Sequence, residues 1–403
     1  MENNWKEVYL GDISDVQTGP FGSQLKNEQY IKGGTPVVTV EHIKDFRITD
    51  FDYPSITDED KDRLAKYLMK TDDILFTRVG SVDLSAYVSE KQNGWMFSSR
   101  MLRVRTNEEV HSKFLSYYFQ QRSFRDYILN ISVGATMPSI NTSILKSLII
   151  SYPPLPEQKA IASVLSSLDD KIDLLHQQNQ TLEALAETLF RQWFVEEAKD
   201  DWEEVKLGDL VDVFNGVSYK SDDLNPSTTA MVTLKSFERN GGFRMDGFKE
   251  YTGKYKETHI VEEGDLVVAH TDITQDAALI GNPVLVKSHL KYDKLVISMD
   301  LVKVVSKNSN FTNEFLYLLM KTREFKEHAL GYSNGSTVLH LSKKAIPEFE
   351  LKLPPIELIN SFTNRVSQLL KKQFVNQNQI QTLTQLRDTL LPKLMSGEVK
   401  VKM

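Results

Sequence analysis

The chain contains the same sequence pattern twice. The segment from Trp5 to Asp12 returns 197 positions later, from Trp202 to Asp209. Further positions recur at an offset of 201, in the pairs Phe114/Phe315, Phe124/Phe325, Gly134/Gly335, Thr136/Thr337, Pro153/Pro354, Pro154/Pro355, Leu182/Leu383 and Leu189/Leu390. A unit of about 200 residues is far longer than a solenoid repeat and is large enough to close its own core. The repeat therefore predicts two similar domains.

The composition is that of an ordinary globular protein. The 403 residues are 40 % hydrophobic and 26 % charged, which fits two or three domains. No stretch approaches the roughly 20 apolar residues that span a bilayer, and Met1–Lys6 has no apolar signal segment, so we expect a cytoplasmic location and no membrane. The absence of cysteine excludes disulfides and thiolate chemistry, and no two histidines lie within four residues of each other, so we expect no metal site.

The formal charge of −7 is unusual for a protein that binds phosphate groups. The charge is uneven, however. Residues 153–199 hold four basic against eight acidic residues, whereas residues 354–403 hold seven basic against three acidic ones. Any nucleic-acid surface must therefore be local.

Short β-branched runs bounded by turn residues predict strands in both copies. The runs are Pro36–Val40, Asp73–Thr77 and Met101–Arg105 in the first copy, and Met231–Leu234, Asp265–Val268 and Leu301–Val305 in the second. The segments Phe114–Tyr127 and Phe315–His328 have the spacing of a helix. Strands mixed with helices indicate an α+β domain.

Each copy closes with a long helix that carries a heptad seam. The first seam follows Pro153–Pro156 and comprises Ile161, Leu165, Leu168, Ile172, Leu175, Asn179, Leu182, Ala186, Leu189 and Trp193. The second comprises Phe362, Val366, Leu369, Gln373, Asn376, Ile380, Leu383, Arg387, Leu390 and Leu394. Three polar residues make the second seam poorer.

The two seams match in antiparallel register. A constant sum of 555 in residue number sets every seam residue opposite another, so that Asn179 meets Asn376. Two facing amides can hydrogen-bond to each other. A buried amide that faces leucine has no hydrogen-bond partner, which costs roughly 1–3 kcal/mol of stability. We therefore predict an antiparallel coiled coil about 50 Å long, at roughly 1.5 Å per residue. The alternative is that each helix packs on its own domain.

Several motifs, in order and within the repeat, resemble a known family: the DNA specificity subunit of type I restriction-modification complexes. They are Gly19–Lys26, Gly134–Pro138 with Ile140-Asn141, Pro153–Ile161, Leu182–Phe190 and Leu391–Glu398. The second copy departs from the pattern at Val217–Tyr219 and at Leu358-Ile359.

This resemblance implies two pseudo-twofold-related target-recognition domains that alternate with two spacer helices. We place the domains at 1–152 and 200–353 and the helices at 153–199 and 354–396. It also implies three kinds of partner: double-stranded DNA, two modification subunits that dock on the helices, and restriction subunits. S-adenosylmethionine, ATP and Mg²⁺ are then expected only on those partners, and no cofactor on this chain.

No motif predicts catalysis by the chain itself. Pro153-Pro154 and Pro354-Pro355 lack the preceding Asn or Asp of amino-methyltransferases, and no phosphate-binding Gly-rich loop or His-Glu-x-x-His occurs. Asp52 with Glu59-Asp60-Lys61 has the residue types of a nuclease, but Thr57 followed by three acids is typical of a capped helix start. We expect a subunit that is not an enzyme.

Base edges are read by Arg, Lys, Asn, Gln and acidic side chains, so we looked for such residues in loops where the copies differ. Arg78–Ser81 stands against Ala269–Asp272, and Glu41–Lys44 against Lys235–Arg239. The candidate DNA contacts are Gln24, Lys26, Lys44, Arg78, Ser81, Arg100, Tyr219, Lys220, Lys235, Arg239, Arg244, His270 and Thr271. For each, a surface charge or a local salt bridge is the alternative.

The sequence thus predicts a chain that binds an asymmetric two-part DNA site, one half-site per domain, with the gap set by the helix pair. Two alternatives stay open. One is a specificity chain serving a type II fused methylase-nuclease, and the other is a structural adaptor that binds protein rather than DNA.

Overall fold

The structure is a computed structural model and describes residues 4–49, 51–134, 136–239, 241–274, 276–335 and 337–402. It divides into two compact units, one formed by Met1–Lys171 with Thr384–Met403 and the other by Ile172–Leu383. Two long helices, α6 (Leu155–Arg191) and α10 (Ile356–Met395), contribute residues to both units. None of the helices in the described ranges is long and apolar enough to cross a bilayer.

The described residues of the first unit form eleven strands and several short helices. The strands are β1 Lys6–Tyr9, β2 Ser14–Thr18, β3 Thr35–Val38, β4 Ile43–Lys44, β5 Arg47–Ile48, β6 Ser55–Ile56, β7 Ile74–Thr77, β8 Ser85–Tyr87, β9 Met96–Phe97, β10 Met101–Thr106 and β11 Ile149–Tyr152. The short helices are α1 Leu10–Ile13, α2 Asp58–Arg63, α3 Ser112–Gln120, α4 Arg122–Ile131 and α5 Thr142–Lys146. The main sheet has the order β2-β10-β7-β8, and β1 pairs with β11 where the copy begins and ends.

The second unit repeats this plan. Its strands are β12 Glu203–Lys206, β13 Val211–Asn215, β14 Thr229–Val232, β15 Lys249–Glu250, β16 Ile260–Val261, β17 Leu266–Ala269, β18 Thr271–Asp272, β19 Pro283–Leu285, β20 Lys294–Ile297, β21 Leu301–Ser306, β22 Ser333–Asn334, β23 Leu339–Leu341 and β24 Glu350–Leu353. Its short helices are α7 Leu207–Leu210, α8 Asn313–Met320 and α9 Arg323–Gly331. The main sheet, β13-β21-β17-β19, matches the first strand for strand.

Both main sheets are buried on two faces, because side chains alternate along a strand. In β7, Ile74 and Phe76 enter the cluster that includes the helices, whereas Leu75 packs with the small sheet β6-β3-β9. In β17, Leu266 and Val268 likewise face one cluster and Val267 the other. Two hydrophobic layers per unit explain why β17 and the residues Ile74–Phe76 of β7 are apolar.

The predicted strands are confirmed to within two residues at each end. The two segments with helical spacing are confirmed as helical, and each is divided into two consecutive helices. The first breaks at Gln121, and the second breaks before Thr322, whose side chain caps the new helix by accepting from the Phe325 amide. Thr57 caps α2 and Asn141 caps α5, as their residue types indicate.

The seam residues of α6 and α10 are largely buried. In the first unit Ile161, Leu165 and Leu394 share one cluster. In the second, Ile172, Leu175 and Ile380 form a small cluster of their own. The half-buried seam residues are Leu168, Asn179, Leu182, Leu189, Leu369, Leu383, Arg387 and Leu390, with Trp193 in a π-helical turn beyond the end of α6.

Polar seam residues contact one another inside the second unit. The Asn376 amide donates to Asn179 Oδ1 at 2.9 Å, and the Gln373 amide donates to the Asn179 carbonyl at 2.8 Å. Asn376 is fully buried. A buried amide donor that lacks a partner is costly, so this contact favours one register of the two helices, although Asn376 Oδ1 makes no hydrogen bond with the described residues.

Candidate nucleic-acid interface

In the first unit, four loops meet at one end of the main sheet, and we call residues 19–25, 78–82, 98–100 and 133–134 with 136–140 the first loop cluster. Gly19 begins it, its amide donating to the Met101 carbonyl at 3.3 Å. A Cβ on Gly19 would overlap the Ser98 carbonyl oxygen, so only glycine allows this close approach. The loop that follows exposes Phe21, 47 % accessible.

Arg78 lies at the centre of the first loop cluster. Its amide donates to the Arg100 carbonyl at 2.8 Å, and its carbonyl accepts from the Ile140 amide at 3.0 Å. Its guanidinium lies 5.4 Å from the centre of the Phe21 ring and donates to the Ser99 carbonyl at 3.2 Å. The structure therefore brings two predicted contacts, Arg78 and Arg100, together with an exposed aromatic ring.

The other predicted contacts of the first unit lie around this centre or apart from it. Ser81 is exposed in the same cluster and Lys26 just beyond it. Gln24 lies at the base, where its side-chain oxygen accepts from Tyr67 Oη at 2.7 Å. Lys44 lies on a separate hairpin, β4–β5, with its ammonium 5.2 Å from the Phe51 ring centre.

The second unit builds the same backbone frame, and we call residues 216–220, 270–274 with 276–282, 298–300, and 333–335 with 337–341 the second loop cluster. The Gly216 amide donates to the Leu301 carbonyl at 3.1 Å, and a Cβ on Gly216 would overlap the Ser298 carbonyl oxygen. His270 donates its amide to the Asp300 carbonyl at 2.8 Å and accepts from the Leu341 amide at 2.9 Å.

This frame corrects the sequence alignment by one residue. Because the amides of Arg78 and His270 make equivalent bonds, Arg78 stands against His270 and not against Ala269. The same ladders set Arg100 against Asp300. The error arose because the strand ends were aligned without their hydrogen-bond register.

Thr271 is a second correction, because its side chain faces inward. It is 6 % exposed, and its hydroxyl donates to Asp300 Oδ1 at 3.1 Å. The exposed residue of this segment is instead Ile273, 69 % accessible. His270 is half-buried, and burial together with nearby His340 and Lys343 lowers the pKa of its imidazole below the ordinary value. A contact through His270 would thus be uncharged at neutral pH.

The sequence reasoning missed Asp272, a buried carboxylate that holds the loop after β18. It accepts from the Thr274 amide and hydroxyl at 2.6 Å each, from the Leu279 amide at 2.6 Å and from the Ile280 amide at 2.8 Å. Burial raises the pKa of this carboxyl, but these hydrogen bonds outweigh burial and hold the pKa below its usual range. The available signal was the extra length of the loop, 270–282 against 78–84, with the Asp-x-Thr spacing of an Asx turn at its start.

The remaining predicted contacts of the second unit have local partners. Arg239 lies 3.8 Å from Asp276 of the long loop, so it joins the second loop cluster. Arg244 is bidentate with Asp246, at 2.6 and 3.0 Å. Tyr219 accepts from Lys249 Nζ at 3.0 Å. Lys220 and Lys235 are exposed.

Comparison with known proteins identifies the family. The family model of the type I restriction modification DNA specificity domain matches residues 2–184 and 199–385. The specificity subunit of type I restriction enzyme MjaIX from Methanocaldococcus jannaschii is 25 % identical over 99 % of this chain and 94 % of its own length. The HindI specificity subunit from Haemophilus influenzae is 24 % identical over 98 % of this chain and all of its own. A crystal structure of the type I S subunit from M. genitalium shares the fold, with a TM-score of 0.60 and 19 % identity over all of this chain and 97 % of that one. The chain belongs to the family of type I restriction-modification DNA specificity subunits.

Proposed function

We propose that this chain binds an asymmetric, two-part DNA site, with one half-site read by each loop cluster and the gap set by an antiparallel coiled coil of α6 and α10. The observation that carries this proposal is the loop frame that recurs in both units. Gly19 and Gly216 make one equivalent bond of this frame, and Arg78 and His270 make another. A shared backbone with unlike side chains is suited to two different half-sites, because specificity resides in contacts to base edges.

The charges at equivalent positions support unlike half-sites. Glu41 and Lys235 occupy equivalent positions, because each is the second residue of a 3₁₀ turn that directly follows a threonine. Three residues further on, Lys44 stands against Glu238. With Arg100 against Asp300, three positions carry opposite charges in the two units. A lysine or arginine favours guanine, whereas a carboxylate favours the amino group of cytosine.

Within each unit, contacts between α6 and α10 support the coiled coil. Arg387 Nη1 donates to Asp169 Oδ1 at 2.9 Å in the first unit, and the Asn179–Asn376 bond lies in the second. Residue numbers in these pairs add to 556 and 555, which is within one residue of a single antiparallel register. We propose the division at 1–152, 153–199, 200–353 and 354–396 on the same basis.

Exposed apolar residues on the helices support the docking of two modification subunits. Leu174 and Leu185 are 46 % and 45 % exposed, and Val375 and Leu386, 201 positions later, are 57 % and 44 % exposed. Each pair is 11 residues apart, which is about three helical turns, so its members lie on one face. A face that recurs with the repeat suits two copies of one partner. Leu174→Asp with Leu185→Asp should remove one modification subunit from the purified complex. Val375→Asp with Leu386→Asp should remove the other modification subunit. Native mass spectrometry would measure both losses.

We propose that catalysis belongs to the partner subunits. S-adenosylmethionine, ATP and Mg²⁺ would bind there, the restriction subunits would join through the complex, and the assembly would act in the cytoplasm. In the described ranges no group of three or more His, Asp or Glu side chains is placed to hold a metal ion.

A selection from random DNA tests the proposed function. The full chain, purified with its modification subunits, should enrich two short conserved sequences at a fixed separation. Binding should also weaken steeply with salt, because phosphate contacts release counterions. A single continuous motif, or no enrichment with a flat salt response, would contradict the proposal.

A further inference from the structure

Two carboxylates of α6 gather polar side chains from several elements of their own unit. We define the first anchor cluster as Asp169, Tyr117, Arg387 and Arg47, and the second anchor cluster as Glu183, Tyr317, Lys321 and Gln373. Neither cluster contains a predicted DNA contact. Each contains one residue from α6, one from α10 and at least one from the recognition domain.

In the first anchor cluster, Asp169 is a shared acceptor. Tyr117 Oη, on α3, donates to Asp169 Oδ2 at 2.6 Å. Arg387 Nη1, on α10, donates to Oδ1 at 2.9 Å, and Arg47 Nη2, on the β4–β5 hairpin, lies 3.6 Å from the same oxygen. The Asp169 side chain is only 18 % exposed. The hairpin that bears Lys44 is thus tied to the spacer helix.

In the second anchor cluster, Glu183 has the same role. Tyr317 Oη, on α8, donates to Glu183 Oε1 at 2.5 Å, and Lys321 Nζ donates to the same oxygen at 2.7 Å. Gln373 Nε2, on α10, donates to Oε2 at 2.9 Å. Burial raises the pKa of the Glu183 carboxyl, but these three partners outweigh burial and keep the pKa below its usual range.

The second cluster also lies beside a hairpin tip. A Cβ on Gly241 would lie 3.6 Å from Lys321 Nζ. Gly242 and Lys287 line the same cavity as Glu183, of about 30 Å³, which is room for roughly one water molecule. Gly241 and Gly242, which lie close to Arg239 in the chain, therefore adjoin α6 as the Lys44 hairpin does.

The two clusters are not copies made by the duplication. Phe114 and Phe315 are equivalent, so Tyr117 stands against Leu318 and not against Tyr317. At the offset of 201, Asp169 and Glu183 correspond to Leu370 and Thr384. The two acceptors, Asp169 and Glu183, lie 14 residues apart on α6. The two donors from α10, Gln373 and Arg387, also lie 14 residues apart. The same arrangement built from unrelated positions argues for a shared role.

Directional polar contacts fix rotation and register, whereas leucine packing tolerates sliding. We propose that Asp169 and Glu183, with Tyr117 and Tyr317, are positioning residues that hold each recognition domain in one orientation on the spacer helices. Their role is to make the chain select a single gap. This inference rests on the proposed two-part site.

The test compares gap selection with half-site selection. The full chain with its modification subunits, carrying Asp169→Asn and Glu183→Gln, is offered DNA in which the selected half-sites are separated by the native gap or by one base pair more or less. The half-sites should remain unchanged, and the preference for the native gap should fall about tenfold, the equivalent of one charged hydrogen bond. Tyr117→Phe with Tyr317→Phe should act in the same direction and more weakly, since only the hydroxyls are lost.

Asp126→Asn and Glu327→Gln are the matched controls, because they neutralise exposed acids paired at i,i+4 with Arg122 and Arg323. Both should keep the native gap preference. If the variants of Asp169 and Glu183 fail to fold, the gap preference of the chain with Tyr117→Phe and Tyr317→Phe tests the proposal instead. Unchanged gap preference in folded variants overturns this inference alone, whereas a wild-type chain that selects no two-part site overturns the proposed function as well.

Discussion

The two loop clusters share a backbone and differ in nearly everything else. In the first, a short connection of residues 78–84 joins β7 to β8, and Arg78 packs on Phe21. In the second, the connection runs over 270–282 and is organised by the buried Asp272. The first presents two arginines, whereas the second presents a half-buried histidine beside Asp300.

This difference separates two tasks of the chain. Glycines and strand ends that both units share place the loops, since Gly19 and Gly216 each approach a serine carbonyl. Loop length and charge, which the units do not share, are free to define the half-sites. Substitutions should therefore divide into those that break the frame of one unit and those that change what it reads.

Asp272→Ala should have the largest effect. It leaves the buried amides of Leu279 and Ile280 without an acceptor, at about 2–6 kcal/mol of unfolding free energy, from roughly 1–3 kcal/mol for each group. Denaturant unfolding measures the loss. Selection should show the second half-site weakened and the first retained, and equal loss of both would contradict separate reading.

Asp272 also sets a dependence on pH. Because folding lowers the pKa of this carboxyl, its stabilisation is complete above the ordinary aspartate pKa of about 4 and is lost as the pH falls through the lower folded value. Asp272→Asn should therefore flatten the acid limb of the stability curve. An unaltered limb in that variant would show that other acids control it.

Gly19→Ala and Gly216→Ala should each cost about 1–3 kcal/mol, because the new Cβ forces backbone to move. Each should impair only the half-site of its own unit, as binding to DNA with one half-site scrambled would reveal. Gly22→Ala is the control, since a Cβ there meets nothing within 4 Å.

Arg100→Asp should change specificity more than stability, whereas Asp300→Arg should change specificity and also remove the acceptor of the buried Thr271 hydroxyl. At exposed Arg100 the expected change in unfolding free energy is within about 0.5 kcal/mol. The difference in binding free energy between bases at one position of the half-site should change by about 1–3 kcal/mol. Selection with each variant measures this change. An unchanged motif would remove these two positions from the reading surface.

The smallest effect is expected for Arg239→Gln, which breaks the exposed pair with Asp276 at 3.8 Å. Surface pairs contribute roughly 0–1 kcal/mol, so the melting temperature should barely move. If Arg239 contacts phosphate, the slope of the logarithm of the binding constant against the logarithm of the salt concentration should become shallower by about one.

Much of the fold could be predicted from the sequence, because the repeat and the strand runs are local patterns. The family followed from ordered motifs such as Gly134–Pro138 and Pro153–Ile161. The site was harder, since Thr271 and Ile273 differ in exposure through strand pairing that composition does not reveal. The anchor clusters depend on contacts between distant segments, such as Tyr117 with Asp169, which no spacing in the sequence indicates.

Paired insertions test the central claim most directly. Four residues inserted between His176 and Gln177 and four between Asn378 and Gln379 lengthen both helices at matched positions. The added length is about 6 Å, close to two base pairs at roughly 3.4 Å each. Selection with the lengthened chain should return the same half-sites with a gap about two base pairs longer. The same half-sites at the original gap would contradict the account.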